Sequence, residues 1–261
     1  MSCPNCFKGA VLEDAQEGAY FAAGNGDTKR AIVLLTDVFG LPFVNSKILA
    51  DSFARHLGCD VWVPDLFAGQ PPLTVEQMQG VPERAGVKLG FLGALKFIWG
   101  ALPSIPGMIR NRPSVVIARV VSFVKKLQET KKYEKIGAIG YCFGGAIATR
   151  VGATTDLFQS IVLAHPSNPT DAQLRAIKAP TAWSAAEGTL LFAPCPAVNP
   201  SKLSSLYAGR KGTADFVEYE IKVYKAHGFA ARPNFEYPEV KEGFEQAFKQ
   251  AVEWFNKTLP A

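Results

Sequence analysis

The residue of this 261-residue chain best suited to covalent chemistry is a cysteine surrounded by glycines. Cys142 lies in Gly140-Tyr-Cys-Phe-Gly144, between an apolar run and a run of small residues. The spacing G-x-C-x-G is the cysteine form of a nucleophile elbow, a tight strand-to-helix turn whose neighbours must be tiny. The N-terminus of the following helix favours the thiolate. The alternative interpretation is a passive cysteine in a glycine-rich strand–helix crossing.

A nucleophile of this kind needs a histidine base. In elbows of this type the acid and then the histidine follow the nucleophile along the chain, on loops after later strands. His56 precedes Cys142, and His165 follows it too closely. His227 comes after the last predicted strand and just before the final helix, so the sequence predicts His227 as the base.

Strands and helices alternate along the chain and would position these residues. Strands are predicted at 31–36, 60–64, 135–141, 158–165, 180–186 and 216–224, and helices at 44–57, 115–127, 144–151 and 240–255. The last helix has Phe244, Ala247, Phe248, Ala251 and Phe255 on its predicted buried face, flanked by Val252 and Trp254. This alternation predicts an α/β fold with a mostly parallel sheet and helices on both faces. We expect a single domain, 1–261, with a helical insertion near residues 70–113 that caps the site.

The composition and the charge of the chain exclude several classes of binding partner. The net charge of +5 is spread along the chain, without the aromatic–basic interleaving of a base-stacking surface, so no nucleic acid is expected. Residues 1–8 contain no apolar core of signal-peptide length, and the most apolar later stretch, 87–109, is interrupted by lysines and prolines. No membrane partner is therefore expected, and a cytoplasmic location is predicted. The remaining thiols are expected to be buried or incidental, and no metal site is predicted; these thiols are Cys3, Cys6, Cys59 and Cys195.

Three motifs together resemble the dienelactone hydrolase family, and most closely its eukaryotic branch. They are Thr-Asp-Val-Phe-Gly at 36–40, Gly-Tyr-Cys-Phe-Gly-Gly at 140–145 and His-Gly-Phe-Ala at 227–230. The resemblance runs from about Cys3 to Phe255. It implies an α/β-hydrolase fold, no cofactor, and hydrolysis of small lactones or esters by a Cys–His–Asp triad.

The resemblance also implies roles for individual residues. Cys142 matches the family's nucleophile and His227 its general base. Asp37 matches the acidic residue that holds or activates the resting thiol; on the sequence alone, an Asp that caps the turn Val38–Gly40 is an equal alternative. The N–H groups of Val38 and Phe143 match the oxyanion hole, and such donors contribute about 3 kcal/mol each to transition-state stabilisation.

The sequence departs from the family at the triad acid. The family's loop resembles Ser-Ala-Glu-x-Asp, whereas this chain has Ser184-Ala-Ala-Glu-Gly-Thr189, with Thr189 at the position of the Asp. A threonine cannot stabilise an imidazolium by charge. Either Glu187 serves as the acid, or Cys142 and His227 act as a dyad that Thr189 only orients.

Substrate contacts are predicted from the same comparison. Arg232 lies five residues after His227, near an arginine that binds the substrate's carboxylate in the family, and Arg84 in the predicted cap is a second candidate. Aromatic residues could line an apolar pocket, although core packing is their default role; they are Phe39, Trp99, Tyr141 and Trp183.

The sequence therefore predicts a hydrolase for small lactones or esters that forms an acyl-enzyme on Cys142, as a monomer or homodimer. A promiscuous esterase for uncharged esters is the first alternative. A catalytically weakened, hydrolase-like binding protein is the second, and Thr189 is the reason to consider it.

Overall fold

An eight-stranded sheet forms the centre of the protein in a computed structural model, which describes residues 10–11, 18–25, 29–74, 77, 90–167, 169–187, 199–225 and 229–261. The strands are β1 (Ala10–Val11), β2 (Ala19–Ala22), β3 (Arg30–Leu35), β4 (Asp60–Pro64), β5 (Lys135–Tyr141), β6 (Ser160–Ala164), β7 (Thr181–Glu187) and β8 (Tyr219–Lys225). Their spatial order is β1-β2-β4-β3-β5-β6-β7-β8. Every pair from β4 to β8 is parallel, whereas β2 pairs with β1 and β4 antiparallel.

Helices cover both faces of this sheet. They are α1 (Val44–Leu57), α2 (Phe91–Ala101), α3 (Ile105–Arg110), α4 (Pro113–Lys131), α5 (Phe143–Thr154), α6 (Asp171–Ala176), α7 (Pro200–Ala208) and α8 (Pro238–Thr258), with a 3-10 turn, Leu102–Ser104, between α2 and α3. Apolar side chains of α4, α5 and α7 form one core cluster with the sheet. Those of α1 and α8 form a second cluster on the opposite face.

The predicted fold class is confirmed, with differences at the periphery. The bounds of β4, β5 and α1 are as predicted, and α1 ends at Gly58, whose φ of 64° allows its N–H to bond to the Ala54 carbonyl. The other predicted elements are present with shifted ends. The sequence analysis missed β1, β2, α6 and α7, which are short and therefore have little periodicity. The predicted helical insertion contains α2, the 3-10 turn and α3.

The buried face of α8 differs from the prediction. Trp254, predicted to flank the face, is buried, whereas Phe244 and Phe248 are only partly buried. The buried face follows the small residues Gly243 and Ala247, and Trp254 lies on the same line, seven residues after Ala247. No helix in the described part of the chain combines the length and apolarity that crossing a membrane requires.

A buried arginine connects the ends of two helices. The Arg30 guanidinium donates hydrogen bonds to the carbonyl oxygens of Leu57, at the end of α1, and of Leu259, just after α8, each at 2.5 Å. Carbonyl groups at helix ends have no intrahelical donor and carry partial negative charge, so a cation there satisfies both requirements. Arg30 thereby joins α1, α8 and β3.

Replacing Arg30 tests this connection. We expect Arg30→Met to lower the free energy of unfolding by about 3 kcal/mol, because it leaves two buried carbonyl groups without donors. Urea denaturation followed by circular dichroism measures the change. Arg55→Met, an exposed substitution in the last turn of α1, is the control and should change stability by less than about 0.5 kcal/mol. Equal stabilities of the two variants would contradict the role given to Arg30.

Candidate active site

Cys142 occupies a strained turn between β5 and α5. Its backbone has φ 50° and ψ −109°, a conformation that non-glycine residues rarely adopt. Its N–H donates to the Ala164 carbonyl at 3.0 Å, and its own carbonyl accepts from the Ala146 N–H at 3.1 Å. These bonds hold the partly exposed cysteine at the N-terminus of α5, which is the geometry expected of a nucleophile elbow.

The flanking glycines are required by close backbone contacts. A Cβ on Gly140 would lie 2.5 Å from the Gly144 carbonyl oxygen, and one on Gly144 would collide with the Leu35 carbonyl oxygen. Both contacts are with backbone atoms, which cannot move aside as a flexible side chain can. The G-x-C-x-G spacing is therefore a steric consequence of packing the first turn of α5 against the end of β3.

Two N–H groups beside the cysteine are candidates for an oxyanion hole. Phe143 is the first residue of α5, where an N–H has no intrahelical acceptor. In the loop after β3, Phe39 and Gly40 donate to the side chain and the carbonyl of Asp37, respectively. Within the described residues the Val38 N–H has no such acceptor. The predicted pair, Val38 and Phe143, thus has donors available, and its catalytic role stays a prediction.

The structure brings Asp37 and Arg232 together. Asp37 is buried, and one of its carboxylate oxygens lies 3.6 Å from Nε of Arg232. The Arg232 guanidinium lies over the Phe39 ring, 4.7 Å from the ring centroid. None of its N–H groups donates a hydrogen bond to a described residue. Arg232 is therefore oriented by charge and by an aromatic face, while its donors remain available to an anion.

Burial dominates the electrostatics of Asp37. It raises the pKa of the carboxyl from 3.8 to about 6, against the opposing effects of the Arg232 charge and the hydrogen bond from the Phe39 N–H. The cause is the loss of water around the charged form. This carboxyl consequently changes its ionisation near neutral pH, beside the cation that the resemblance assigns to substrate binding.

Two anchors that the sequence analysis missed hold the loop after β8. The Asn45 side chain donates to the Ala231 carbonyl at 3.0 Å and so connects this loop to the start of α1. Phe229 is buried, with its ring 5.5 Å from that of His165 and 5.0 Å from that of Tyr224. The phenylalanine of the His-Gly-Phe motif is the signal that could have identified this anchor.

The strands that lead to the predicted acid and base are adjacent and parallel. The last residues of β7 and β8, Glu187 and Lys225, are partners in the sheet. A buried network links both strands to α8, because Gln250 accepts hydrogen bonds from the hydroxyl groups of Ser184 and Tyr224. His227, Thr189 and Arg84, together with the side chain of Glu187, lie outside the described residues, so their roles stay predictions.

Two residues predicted to line a substrate pocket belong to the core instead. Trp183 is fully buried beneath α7, and its indole N–H donates to the Thr181 hydroxyl at 3.1 Å. Tyr141 is buried on the α1 and α8 face, next to a cavity of about 10 Å³. Alternation along the strands turns both side chains into the two core layers and away from the sheet's edge. Phe39 is also buried, beside Arg232, and its role in a pocket stays a prediction.

The structure assigns no role in this site to the other described thiol, and it shows no metal-ligand cluster among the described residues. Cys59 is buried at the end of α1, and burial raises the pKa of its thiol to about 11. Cys3, Cys6 and Cys195 lie outside the described residues. Among the side chains that the structure describes, no three from His, Cys, Asp and Glu cluster as metal ligands would.

Comparison of the sequence with known proteins identifies a family and several relatives. The pattern of the dienelactone hydrolase family matches residues 18–259. Hydrolase tropI of Talaromyces stipitatus is 32% identical over 236 residues, which cover 89% of this chain and 83% of that protein. The carboxymethylenebutenolidase homolog of Rattus norvegicus is 26% identical, covering 92% of this chain and 87% of that protein.

Solved structures show the same fold. A putative dienelactone hydrolase from Klebsiella pneumoniae superposes with a TM-score of 0.64 at 14% identity, covering 95% of this chain and 97% of that one. The dienelactone hydrolase of Anabaena variabilis gives a TM-score of 0.57 at 15% identity, covering 96% of this chain and 95% of that one.

The raised pKa of Asp37 predicts a pH dependence of stability. Because the folded carboxyl ionises near pH 6 and the unfolded one near pH 4, its stabilising contribution is complete below pH 4 and is lost as the pH rises through 6. We expect the unfolding free energy of the wild type, minus that of Asp37→Asn, to fall by about 2 kcal/mol between pH 4 and pH 8. Urea denaturation at both pH values measures this difference. Asp215→Asn, at an exposed residue, is the control, and an Asp37 difference that is constant with pH would contradict the assignment.

Proposed function

Because the chain belongs to the dienelactone hydrolase family, we propose that it hydrolyses small lactones or esters that carry a carboxylate near the scissile carbonyl, through an acyl-enzyme on Cys142. The observation that carries this proposal is the positive-φ turn of Cys142 at the start of α5. Backbone strain of this size costs about 1–3 kcal/mol and concentrates at functional sites. A glycine would adopt this conformation without strain, so the presence of a cysteine here favours a role for its side chain.

Acylation begins with transfer of the thiol proton to His227. The thiolate of Cys142, favoured by the N-terminus of α5, attacks the carbonyl carbon and breaks its π bond. The resulting oxyanion accepts hydrogen bonds from the N–H groups of Val38 and Phe143. When the tetrahedral intermediate collapses, the C–O bond breaks and the imidazolium protonates the leaving alkoxide or enolate.

Deacylation uses water. His227 takes a proton from a water molecule, which attacks the thioester carbonyl through a second tetrahedral intermediate. The carbon–sulfur bond then breaks, the acid product leaves, and the thiolate recovers its proton. No cofactor takes part in either half of this proposed reaction.

Arg232 supports the preference for an acidic substrate. Its guanidinium is held by Asp37 and the Phe39 ring, and its N–H groups donate to no described residue. A planar carboxylate can accept two of these N–H groups at once. Such a contact would also draw Arg232 away from Asp37, whose buried charge would then favour protonation more strongly.

Replacing the nucleophile tests the covalent mechanism. We expect Cys142→Ala to lower kcat for a dienelactone and for an activated acetate ester by about 10³-fold or more, because no other described thiol lies on the elbow. Steady-state assays at neutral pH measure the loss. Cys59→Ala, which removes the buried thiol outside the site, should retain activity. Undiminished activity of a folded Cys142→Ala variant would exclude the acyl-enzyme mechanism.

Neutralising Arg232 tests the substrate class. We expect Arg232→Gln to reduce kcat/KM for a carboxylate-bearing lactone by about 10–100-fold, mainly through KM, because a charged hydrogen bond is lost. Activity on a neutral lactone should change by less than about twofold. Arg175→Gln, an exposed change on α6, is the control. An equal loss on acidic and neutral substrates would assign Arg232 a structural role and leave the uncharged-ester alternative.

A second candidate function is binding without turnover, and Thr189 at the acid position is the observation that favours it. Absence of turnover on acidic lactones, neutral lactones and activated esters by the folded wild type would support this candidate. Turnover that depends on Cys142 would exclude it.

A further inference from the structure

An exposed apolar surface covers the helical insertion that precedes α4. Of twelve large hydrophobic side chains exposed in the described part of the chain, seven lie between residues 92 and 109. Six of them form a line that we call the apolar stripe: Leu92, Leu95, Trp99, Leu102, Ile105 and Ile109. Leu92 is 78% exposed, and Trp99 and Ile109 are each 64% exposed. Contiguous exposed apolar surface of this kind marks an interaction site.

The stripe has helical periodicity but faces solvent. Its members follow one another at intervals of three or four residues, so they share one side of the helical segment formed by α2, the 3-10 turn and α3. Among the side chains of this segment that the structure describes, the buried one is polar: Ser104 is 7% exposed and accepts a hydrogen bond from Gln77 at 3.1 Å. No residue of α3 is buried. Six apolar side chains at helical spacing are thus presented to solvent.

The charge around the stripe has a single sign. Residues 90–128 contain no Asp or Glu and six basic residues: Lys96, Arg110, Arg112, Arg119, Lys125 and Lys126. Because the whole chain carries +5, the rest of it carries −1, so the positive charge is concentrated here and is not spread along the chain as the sequence analysis held. Arg110 and Arg112 are exposed beside the end of the stripe, and neither pairs with a carboxylate in the described residues. An apolar stripe that ends beside exposed cations without carboxylate partners is complementary to an apolar surface that carries negative charge.

We propose that the apolar stripe binds the surface of an anionic lipid bilayer, with α2 and α3 lying along the headgroup region. Helices that bind in this way bury apolar and aromatic side chains at the acyl boundary and place Lys and Arg among the anionic headgroups. Trp99 is the residue type that favours this interface. A surface interaction of this kind needs no spanning helix, so it revises the prediction of no membrane partner, which the sequence analysis based on spanning segments.

A second copy of the chain fits this surface less well. In a symmetric dimer the same face meets itself, so the cations beside the stripe would meet no carboxylate from residues 90–128 of the second copy. Cations without anionic partners oppose association, whereas anionic lipid attracts them. The charge pattern therefore selects the bilayer over self-association. This inference does not depend on the proposed catalytic function.

Vesicle flotation with the full chain tests the proposal. The probes are phosphatidylcholine vesicles with about one-third phosphatidylserine and vesicles of phosphatidylcholine alone. We expect binding to the anionic vesicles about tenfold or more tighter than to the neutral ones, and weakened by added salt. Three of the four tryptophans, Trp62, Trp183 and Trp254, are buried, so a shift in tryptophan emission and its quenching by brominated lipid report on Trp99.

Matched variants distinguish binding through the apolar stripe from non-specific hydrophobic adsorption. Leu95→Ser with Trp99→Ser should weaken binding to anionic vesicles about tenfold or more, whereas Phe235→Ser, at a residue 59% exposed outside the stripe, should leave it unchanged. Circular dichroism confirms that each variant folds. Absence of binding to anionic vesicles, or equal binding by both variants, would overturn the proposal. A micromolar dimer in analytical ultracentrifugation that the double variant abolishes would also overturn it, by assigning the surface to a second copy.

Discussion

The close approach of α5 to the end of β3 is the constraint on which the rest of the site depends. Gly144 contacts the Leu35 carbonyl so tightly that no side chain fits, and Cys142 takes a positive φ to start the helix there. The strain, about 1–3 kcal/mol, is offset by the hydrogen bonds of Cys142 to β6 and α5 and by the burial of α5 in the core. Since Leu35 leads directly into the loop that carries Asp37 and Val38, the same contact brings the start of that loop against the first turn of α5.

The topology of the sheet also brings two distant loops together and so forms the buried pair of Asp37 and Arg232. These residues come from loops almost two hundred positions apart, and the hydrogen bond from Asn45 to Ala231 holds the loops together. Burying the carboxylate costs stability, as its raised pKa indicates. In return the guanidinium is oriented by a charge and an aromatic ring without using its hydrogen-bond donors. An anion that binds there meets a cation whose orientation has already been fixed.

The sequence alone predicted the fold class and the elbow because both depend on local patterns. Continuous apolar runs identified β4 and β5, and glycine spacing identified the turn at Cys142. The pair formed by Asp37 and Arg232, and the anchoring of Phe229 against His165, depend on which loops meet in space, which no local pattern records. Trp183 and Tyr141 were misplaced for a related reason: an aromatic residue in a strand has the same sequence signature whether it faces a pocket or a core layer. The apolar stripe on α2 and α3 was likewise not predicted, since the spacing of apolar residues does not show whether they face a core or solvent.

The nature of the nucleophile bears on whether the chain tolerates a threonine at position 189. A triad acid stabilises the imidazolium that forms when histidine takes the nucleophile's proton. A cysteine thiol, with an ordinary pKa near 8.5, gives up its proton far more readily than a serine hydroxyl, and the N-terminus of α5 favours the thiolate further. Acylation by Cys142 therefore depends less on the triad acid than acylation by a serine would. Deacylation depends on the acid as much as in any hydrolase, because His227 must then take a proton from water. A neutral residue at position 189 should therefore slow deacylation more than acylation, unless Glu187 supplies the negative charge.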